Sequence, residues 1–162
     1  MGQDFYQVHI QPYASIIVKI CRAYTYNQAD FDDYYQEVCL QIWRSRDGFS
    51  GSCSWTTWVY KITLNVCLTY VRKEAKNNRV VSLDTEEVFD SYFQSGSNRE
   101  DIISLYNAIH KLADVDRAII LLYLEQLSNK EIADVIGVTA NNIGVRIARI
   151  KQKLNKLLGT EE

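Results

Sequence analysis

The sequence predicts an all-α protein of two small helical domains joined by a flexible acidic linker. Three observations carry that expectation. A single proline, Pro12, interrupts the 162 residues. Apolar residues recur at three- and four-residue intervals rather than alternating, which is the period of a helix with one buried face. Between Ser82 and Asp101 the composition changes: Asp84, Glu86, Glu87, Asp90, Glu100 and Asp101 surround a Ser95-Gly96-Ser97-Asn98 stretch. That composition reads as a linker, with Val88, Phe89, Tyr92 and Phe93 as sparse apolar anchors.

The first helical region carries Tyr13, Ile16, Ile17, Ile20 and Tyr24. A second begins near Asp30, with Phe31, Tyr35, Val38 and Ile42 on one side and Asp32, Asp33, Gln36 and Glu37 on the other. Two glycines and three serines over Gly48–Ser54 break the pattern and form a loop. The next helix starts close to Ser54, with Trp55, Trp58, Val59, Ile62 and Val66 as its inward stripe. Lys61, Asn65, Leu68 and Arg72 lie about 100° around it. Beyond the linker, Ile102–Leu112 and Asp116–Glu125 read as two helices. Ser128-Asn129-Lys130-Glu131 is a capping-box pattern opening a short helix that ends at Gly137. Thr139 caps a final helix running to about Leu158.

With 47% apolar and 23% charged residues the composition is that of a globular protein, and the net charge of −2 carries no overall basic signal. Nucleic-acid binding must therefore rest on where the charge sits. Cys21, Cys39, Cys53 and Cys67 form no Cys-x-x-Cys pair, and only His9 and His110 could join them, so reduced thiols rather than a metal site are expected. Met1–Tyr13 has neither a basic start nor a long apolar run, and the longest apolar run, Ala118–Leu124, is far too short for a bilayer. A cytoplasmic protein without direct membrane insertion is the expectation. Asp32, Asp33 and Glu37 have no nucleophile–base pair, metal-ligand set or phosphate-cradling glycine loop beside them. They read as a solvated or docking face, with no enzyme and no cofactor.

The sharpest signal is Asn129–Leu154: a short helix with Ile132, Ala133 and Ile136, a turn at Gly137-Val138, then a longer basic helix. This is a helix-turn-helix pattern. On the last helix Ile143, Ile147, Ile150, Leu154 and Leu157 form the core stripe, and Asn141, Val145, Ala148, Arg149 and Gln152 lie opposite. Arg146, Lys151, Lys153 and Lys156 flank that surface, and no acid occurs between Asp134 and Glu161. Small side chains beside cations suit close approach to a DNA groove, with cations on phosphates and amides on base edges. A solvated basic helix is the competing reading. A second cluster sets Phe49, Trp55, Trp58 and Tyr60 beside Lys61, Asn65, Arg72, Lys73 and Lys76. Aromatic faces next to cations hold unpaired bases, although Trp55 and Trp58 also suit a core.

At this point the chain resembles the extracytoplasmic-function group of sigma factors, the smallest of the sigma-70 family. The segment from Asp33 to Trp43 resembles the family's polymerase-docking helix in region 2. Trp55 to Asn65, followed by Arg72, resembles its promoter-melting helix, and Ser128 to Leu154 is similar to its region 4. The resemblance implies a region 2 bundle over 1–80, an acidic linker and lead-in helix start over 81–107, and a region 4 helix-turn-helix over 108–160. Asp32, Asp33, Gln36 and Glu37 would face the clamp helices of the polymerase's largest subunit. Phe49, Ser50, Trp55, Trp58, Lys61, Asn65, Thr69 and Arg72 would capture and melt the −10 element. Asn141, Asn142, Gly144, Val145, Arg146, Ala148, Arg149 and Lys153 would bind the −35 element. Core RNA polymerase (including the flap of its second-largest subunit), promoter DNA and an anti-sigma factor are the implied partners. An anti-sigma factor could hold the protein at the membrane, and the holoenzyme would be nucleoid-associated. The chain departs from the usual pattern at Gly144, where the family has Lys or Arg, and at Val145, where it has Ser. The rivals are a helix-turn-helix regulator acting on duplex DNA without polymerase, and a protein-interaction module that binds no promoter.

Overall fold

A computed structural model describes residues 2–77 and 99–159. The chain divides into two compact units, one on each side of the undescribed segment. Residues 82–98 of the expected linker lie outside the described residues. Among the described residues there are no strands and seven helices of eight residues or more. They are α1 Ala14–Ala23, α2 Gln28–Arg44, α3 Trp55–Lys76, α4 Arg99–His110, α5 Asp114–Leu124, α6 Asn129–Ile136 and α7 Ala140–Leu158.

In the first unit α1, α2 and α3 pack on one another. Helix α1 is the central element. Ile17, Val18, Ile20, Cys21, Arg22 and Ala23 are all buried, so nearly its whole circumference is covered, and of the apolar residues expected in this region only Tyr13 and Ile16 are half-buried. Phe31, Val38 and Ile42 of α2 and Val59 of α3 are fully enclosed. Each such side chain contributes about 1.5–3 kcal/mol by leaving water. Cys21 on α1, Cys39 on α2 and Cys67 on α3 are buried, and all four cysteines are free thiols. The Cys21 thiol hydrogen-bonds the Cys67 side chain, and burial raises its pKa above the ordinary thiol value. Burial likewise pushes Cys39 up to about 11.

Three expectations for this unit need correction. Helix α2 starts at Gln28, because Asn27 caps it by accepting a hydrogen bond from the Asp30 amide at 2.8 Å. Its deeply buried aromatic besides Phe31 is Tyr34 rather than Tyr35, which is half-buried. On α3 the buried residues are Val59, Tyr60, Thr63, Leu64, Val66 and Cys67. Val59 and Val66 of the expected stripe are among them, whereas Trp55, Trp58 and Ile62 sit at its edge, half-buried. The start of α3 agrees with expectation, since the Ser54 hydroxyl accepts from the Thr57 amide at 3.1 Å.

An N-terminal arm precedes α1: Gln3–Phe5, a π-turn over Tyr6–Ile10 and a 3₁₀ turn over Gln11–Tyr13. Its anchor is Ile10, which is fully buried.

In the second unit α4 and α5 pack on α7, and α6 bridges α5 and α7. Helix α4 begins at Arg99, so Glu100 and Asp101 occupy its first turn instead of the linker, where they favour the positive end of the helix dipole. It ends at His110 rather than Leu112, and α5 spans Asp114–Leu124 rather than Asp116–Glu125. The buried Arg117 explains the tight corner between them: it donates to the carbonyls of His110 at 2.8 Å and Leu112 at 3.2 Å. The capping box is complete. Ser128 Oγ accepts from the Glu131 amide at 3.1 Å, and the Ser128 amide donates to Glu131 Oε1 at 3.0 Å. Those bonds to Ser128 lower the Glu131 pKa. Gly137 closes α6 at φ 90°, a left-handed conformation in which a side chain would be strained.

Candidate nucleic-acid interface

Helix α7 presents the expected face. Ile143, Ile147, Ile150 and Leu154 are buried, with Leu157 half-buried below them. Asn141, Asn142, Val145, Ala148, Arg149, Gln152 and Lys153 are all exposed. Thr139 positions the first turn, its hydroxyl accepting from the Asn142 amide at 3.4 Å. Arg146 and Lys151 of α7 are engaged within the unit. Arg146 donates to Asp116 of α5 at 3.1 Å, a half-exposed ion pair that draws its guanidinium toward α5. Lys151 lies 4.2 Å from the centre of the Tyr123 ring. Gly144, half-buried, lies beside the start of α6, where an added Cβ would stand 3.5 Å from Asn129 Nδ2.

In the first unit the structure divides the expected base-binding residues into two groups. Phe49 packs edge-on to Trp55, ring centres 5.1 Å apart, and tilted against Trp58 at 5.5 Å. The arm completes this aromatic cluster. The Trp55 indole donates to the His9 carbonyl at 2.8 Å, and Phe5 sits edge-on to both Trp43 and Trp55. Arg46 stacks over Trp43 at 3.7 Å. The Trp58 indole nitrogen is buried without a hydrogen-bond partner. Ser50 stays exposed in the loop, its hydroxyl 3.2 Å from that of Ser52.

The second group borders a cleft of about 570 Å³ between α2 and α3, lined by Glu37, Gln41, Ser45, Ile62, Asn65, Val66, Thr69, Tyr70 and Lys73. Asn65 and Thr69 are joined by a hydrogen bond from the Thr69 hydroxyl to the Asn65 carbonyl at 2.7 Å. That bond leaves the Asn65 side-chain amide, with its donors and acceptor, on the exposed face of the helix. Trp58 and Arg72 follow the same strip of α3, seven residues before and after Asn65, so each group lies about 10 Å from the next. Lys61 is half-buried and Arg72 exposed, and neither lines the cleft. The wall includes Tyr70, stacked on Tyr34 with centres 4.6 Å apart. Burial raises the Tyr70 pKa, and the charges of Glu37 and Asp33 add to the effect.

The acidic residues of α2 divide over its two sides. Glu37 opens on the cleft, accepting from Gln41 at 2.9 Å and facing Arg44 at 3.8 Å. Asp32 and Gln36 border a shallower recess with Tyr35 and Cys39. Asp32 accepts from Gln28 at 2.8 Å, and Asp33 is exposed. The sequence reading omitted Tyr70, Gln41 and Ser45 from the cleft, and Phe5, His9, Trp43 and Arg46 from the aromatic cluster. Gln41 and Ser45, at four-residue steps from Glu37, were the recoverable ones.

Two helical units, one with an acidic face and a polar cleft, the other with a helix-turn-helix whose last helix is free of acids, define a two-part all-α protein. Sigma-70 region 2 matches residues 9–77, and sigma-70 region 4 matches residues 102–154. The chain belongs to the sigma-70 family, within its extracytoplasmic-function group. It is 24% identical over 176 residues to the ECF RNA polymerase sigma factor SigG of Mycobacterium tuberculosis, covering 92% of this chain but 47% of that protein. The chain thus spans about half the length of that relative. It is 24% identical over 168 residues to SigW of Bacillus subtilis, covering 96% of this chain and 90% of SigW. Identity to the sigma-E factor of Escherichia coli K12 is 28% over 140 residues, covering 78% of this chain and 72% of the relative. The fold is similar to that of RpoE from Bartonella quintana, solved with the anti-sigma factor NepR, with a TM-score of 0.74 and 19% identity over 99% of this chain and all of that one. It is also similar to CnrH, solved with the cytosolic domain of CnrY, with a TM-score of 0.71 and 20% identity over 99% and 92% of the two chains.

Proposed function

We propose that the protein is a promoter-specific initiation factor that binds core RNA polymerase. The observation that carries this reading is the pairing, in one chain, of an acidic helix bordering a polar cleft with a separate acid-free recognition helix. A duplex-binding regulator needs only the second. Asp32, Asp33, Gln36 and Glu37 dock on the clamp helices of the polymerase's largest subunit. Phe49, Ser50, Trp55 and Trp58 bracket the unpaired −10 strand at one end of α3, with Lys61, Asn65, Thr69 and Arg72 further along. Asn141, Asn142, Gly144, Val145, Ala148, Arg149 and Lys153 meet the −35 element, while Arg146 acts through its bond to Asp116. The second unit also meets the flap of the second-largest subunit, and an anti-sigma factor of the kind seen with the solved neighbours restrains the free protein in the cytoplasm. Opening is driven by binding energy for unpaired bases, without an enzymatic step.

The test is strand opening by the reconstituted holoenzyme. Asn65→Ala removes an exposed amide and no core atom, so the fold and polymerase binding stay intact. Opening, read by permanganate reactivity of unpaired thymines, falls by about tenfold, the worth of roughly 1–1.5 kcal/mol for one hydrogen bond. If the amide helps nucleate melting, a pre-melted bubble partly restores the complex, because the unpairing cost of a few kcal/mol is already met. Wild-type opening by Asn65→Ala on duplex DNA would remove this residue from the reading. Failure of the holoenzyme to select any promoter would remove the reading itself.

A further inference from the structure

Val145 is 53% exposed, one of few large apolar side chains among the described residues left in solvent. It lies in the second turn of α7, on the face away from Ile143, Ile147 and Ile150. Its neighbours on that face are polar or small: Asn141 four residues before, Ala148 three after and Arg149 four after. A β-branched residue at an exposed helix position gives up helix propensity relative to alanine. With half its surface in water it also returns little burial energy to the fold. Its apolar surface is therefore suited to a partner. The charge around it selects that partner: Arg149 and Lys153 are exposed, and no acid occurs from residue 135 to 160. A polyanion complements this surface and a basic partner does not.

The floor of the major groove offers one apolar feature to such a side chain, the 5-methyl group of thymine. Ala148, a single methyl one turn on, lets the helix backbone come close enough for contact. We infer that Val145 reads a thymine methyl in the upstream element, making it a specificity-determining residue that selects T by apolar contact. The inference deepens the proposed −35 role of α7 and rests on it.

The experiment uses holoenzyme reconstituted from core polymerase and the full chain, on a promoter it has selected from a genomic library. Each upstream thymidine is replaced in turn by deoxyuridine, which deletes the methyl and keeps every hydrogen-bonding group. The wild-type holoenzyme binds about fourfold more weakly at one such position, the factor that losing a single buried methyl contact carries. The Val145→Ala holoenzyme binds thymidine and deoxyuridine templates equally there. Val145 is exposed, so the variant keeps its fold, as circular dichroism checks. No position sensitive to deoxyuridine overturns the inference, as does a sensitivity that persists in Val145→Ala. If Arg149→Ala still alters promoter preference in that case, the −35 role stands and only the methyl contact falls. Selection of no promoter at all overturns both.

Discussion

Reversing Asp33 and Glu37 to lysine weakens binding of core polymerase by about thirtyfold or more. Charged pairs that become desolvated in an interface cost roughly 2 kcal/mol or more when one partner is lost, and reversal adds repulsion. The fold does not share the loss. Asp33 is exposed, and the contacts of Glu37 with Gln41 and Arg44 are surface contacts within one helix, which contribute about 0–1 kcal/mol. Asp33 and Glu37 already stand four residues apart as a like-charged pair, and the double variant keeps that relation with the sign changed. Helical circular dichroism and thermal unfolding therefore stay near wild type while polymerase affinity falls. Affinity equal to wild type would place the docking surface elsewhere on the first unit.

Arg149→Ala on α7 weakens promoter binding by roughly 1–3 kcal/mol and relaxes preference at one base pair, provided the guanidinium meets a base edge. Lys153→Ala, four residues on and equally exposed, weakens binding to all sequences alike and lowers the slope of log affinity against log salt by about one, because it neutralises a phosphate. The two substitutions thus separate reading from anchoring on one helix. Arg146 is a less clean probe, since removing it also breaks the bond to Asp116 at 3.1 Å. Unchanged affinity and unchanged preference in Arg149→Ala would mean that α7 meets DNA by another face.

What was legible in the sequence was local. The Ser128 capping box, the left-handed Gly137 and the Thr139 cap each depend on residues within three or four positions, and each stands where its pattern placed it. The inward and outward faces of α7 were legible because that helix is covered on one side only. The burial of helix α1 was only partly legible, because it is covered on nearly all sides, which leaves no polar stripe to mark an orientation. The start of α2 was misplaced because Asn27 announces the cap while the apolar pattern begins four residues later. The aromatic cluster and the Arg146–Asp116 pair join residues 46 and 30 positions apart. No periodicity encodes such contacts. The arm carries neither repeat nor cap, and it is held by Ile10, by Phe5 against Trp43 and Trp55, by the Trp55 indole and by the Tyr6 hydroxyl on that of Tyr35.

The thiols make the first unit convenient to label. Cys21, Cys39 and Cys67 are enclosed by the helices, two of them with burial holding the proton on sulfur, whereas Cys53 lies in the loop before α3 and is only half-buried. Alkylation requires the thiolate and access to it. A maleimide dye added to the native protein at neutral pH thus attaches at Cys53 without any engineered cysteine. It would sit four residues beyond Phe49, where its emission would follow the loop as DNA strands separate.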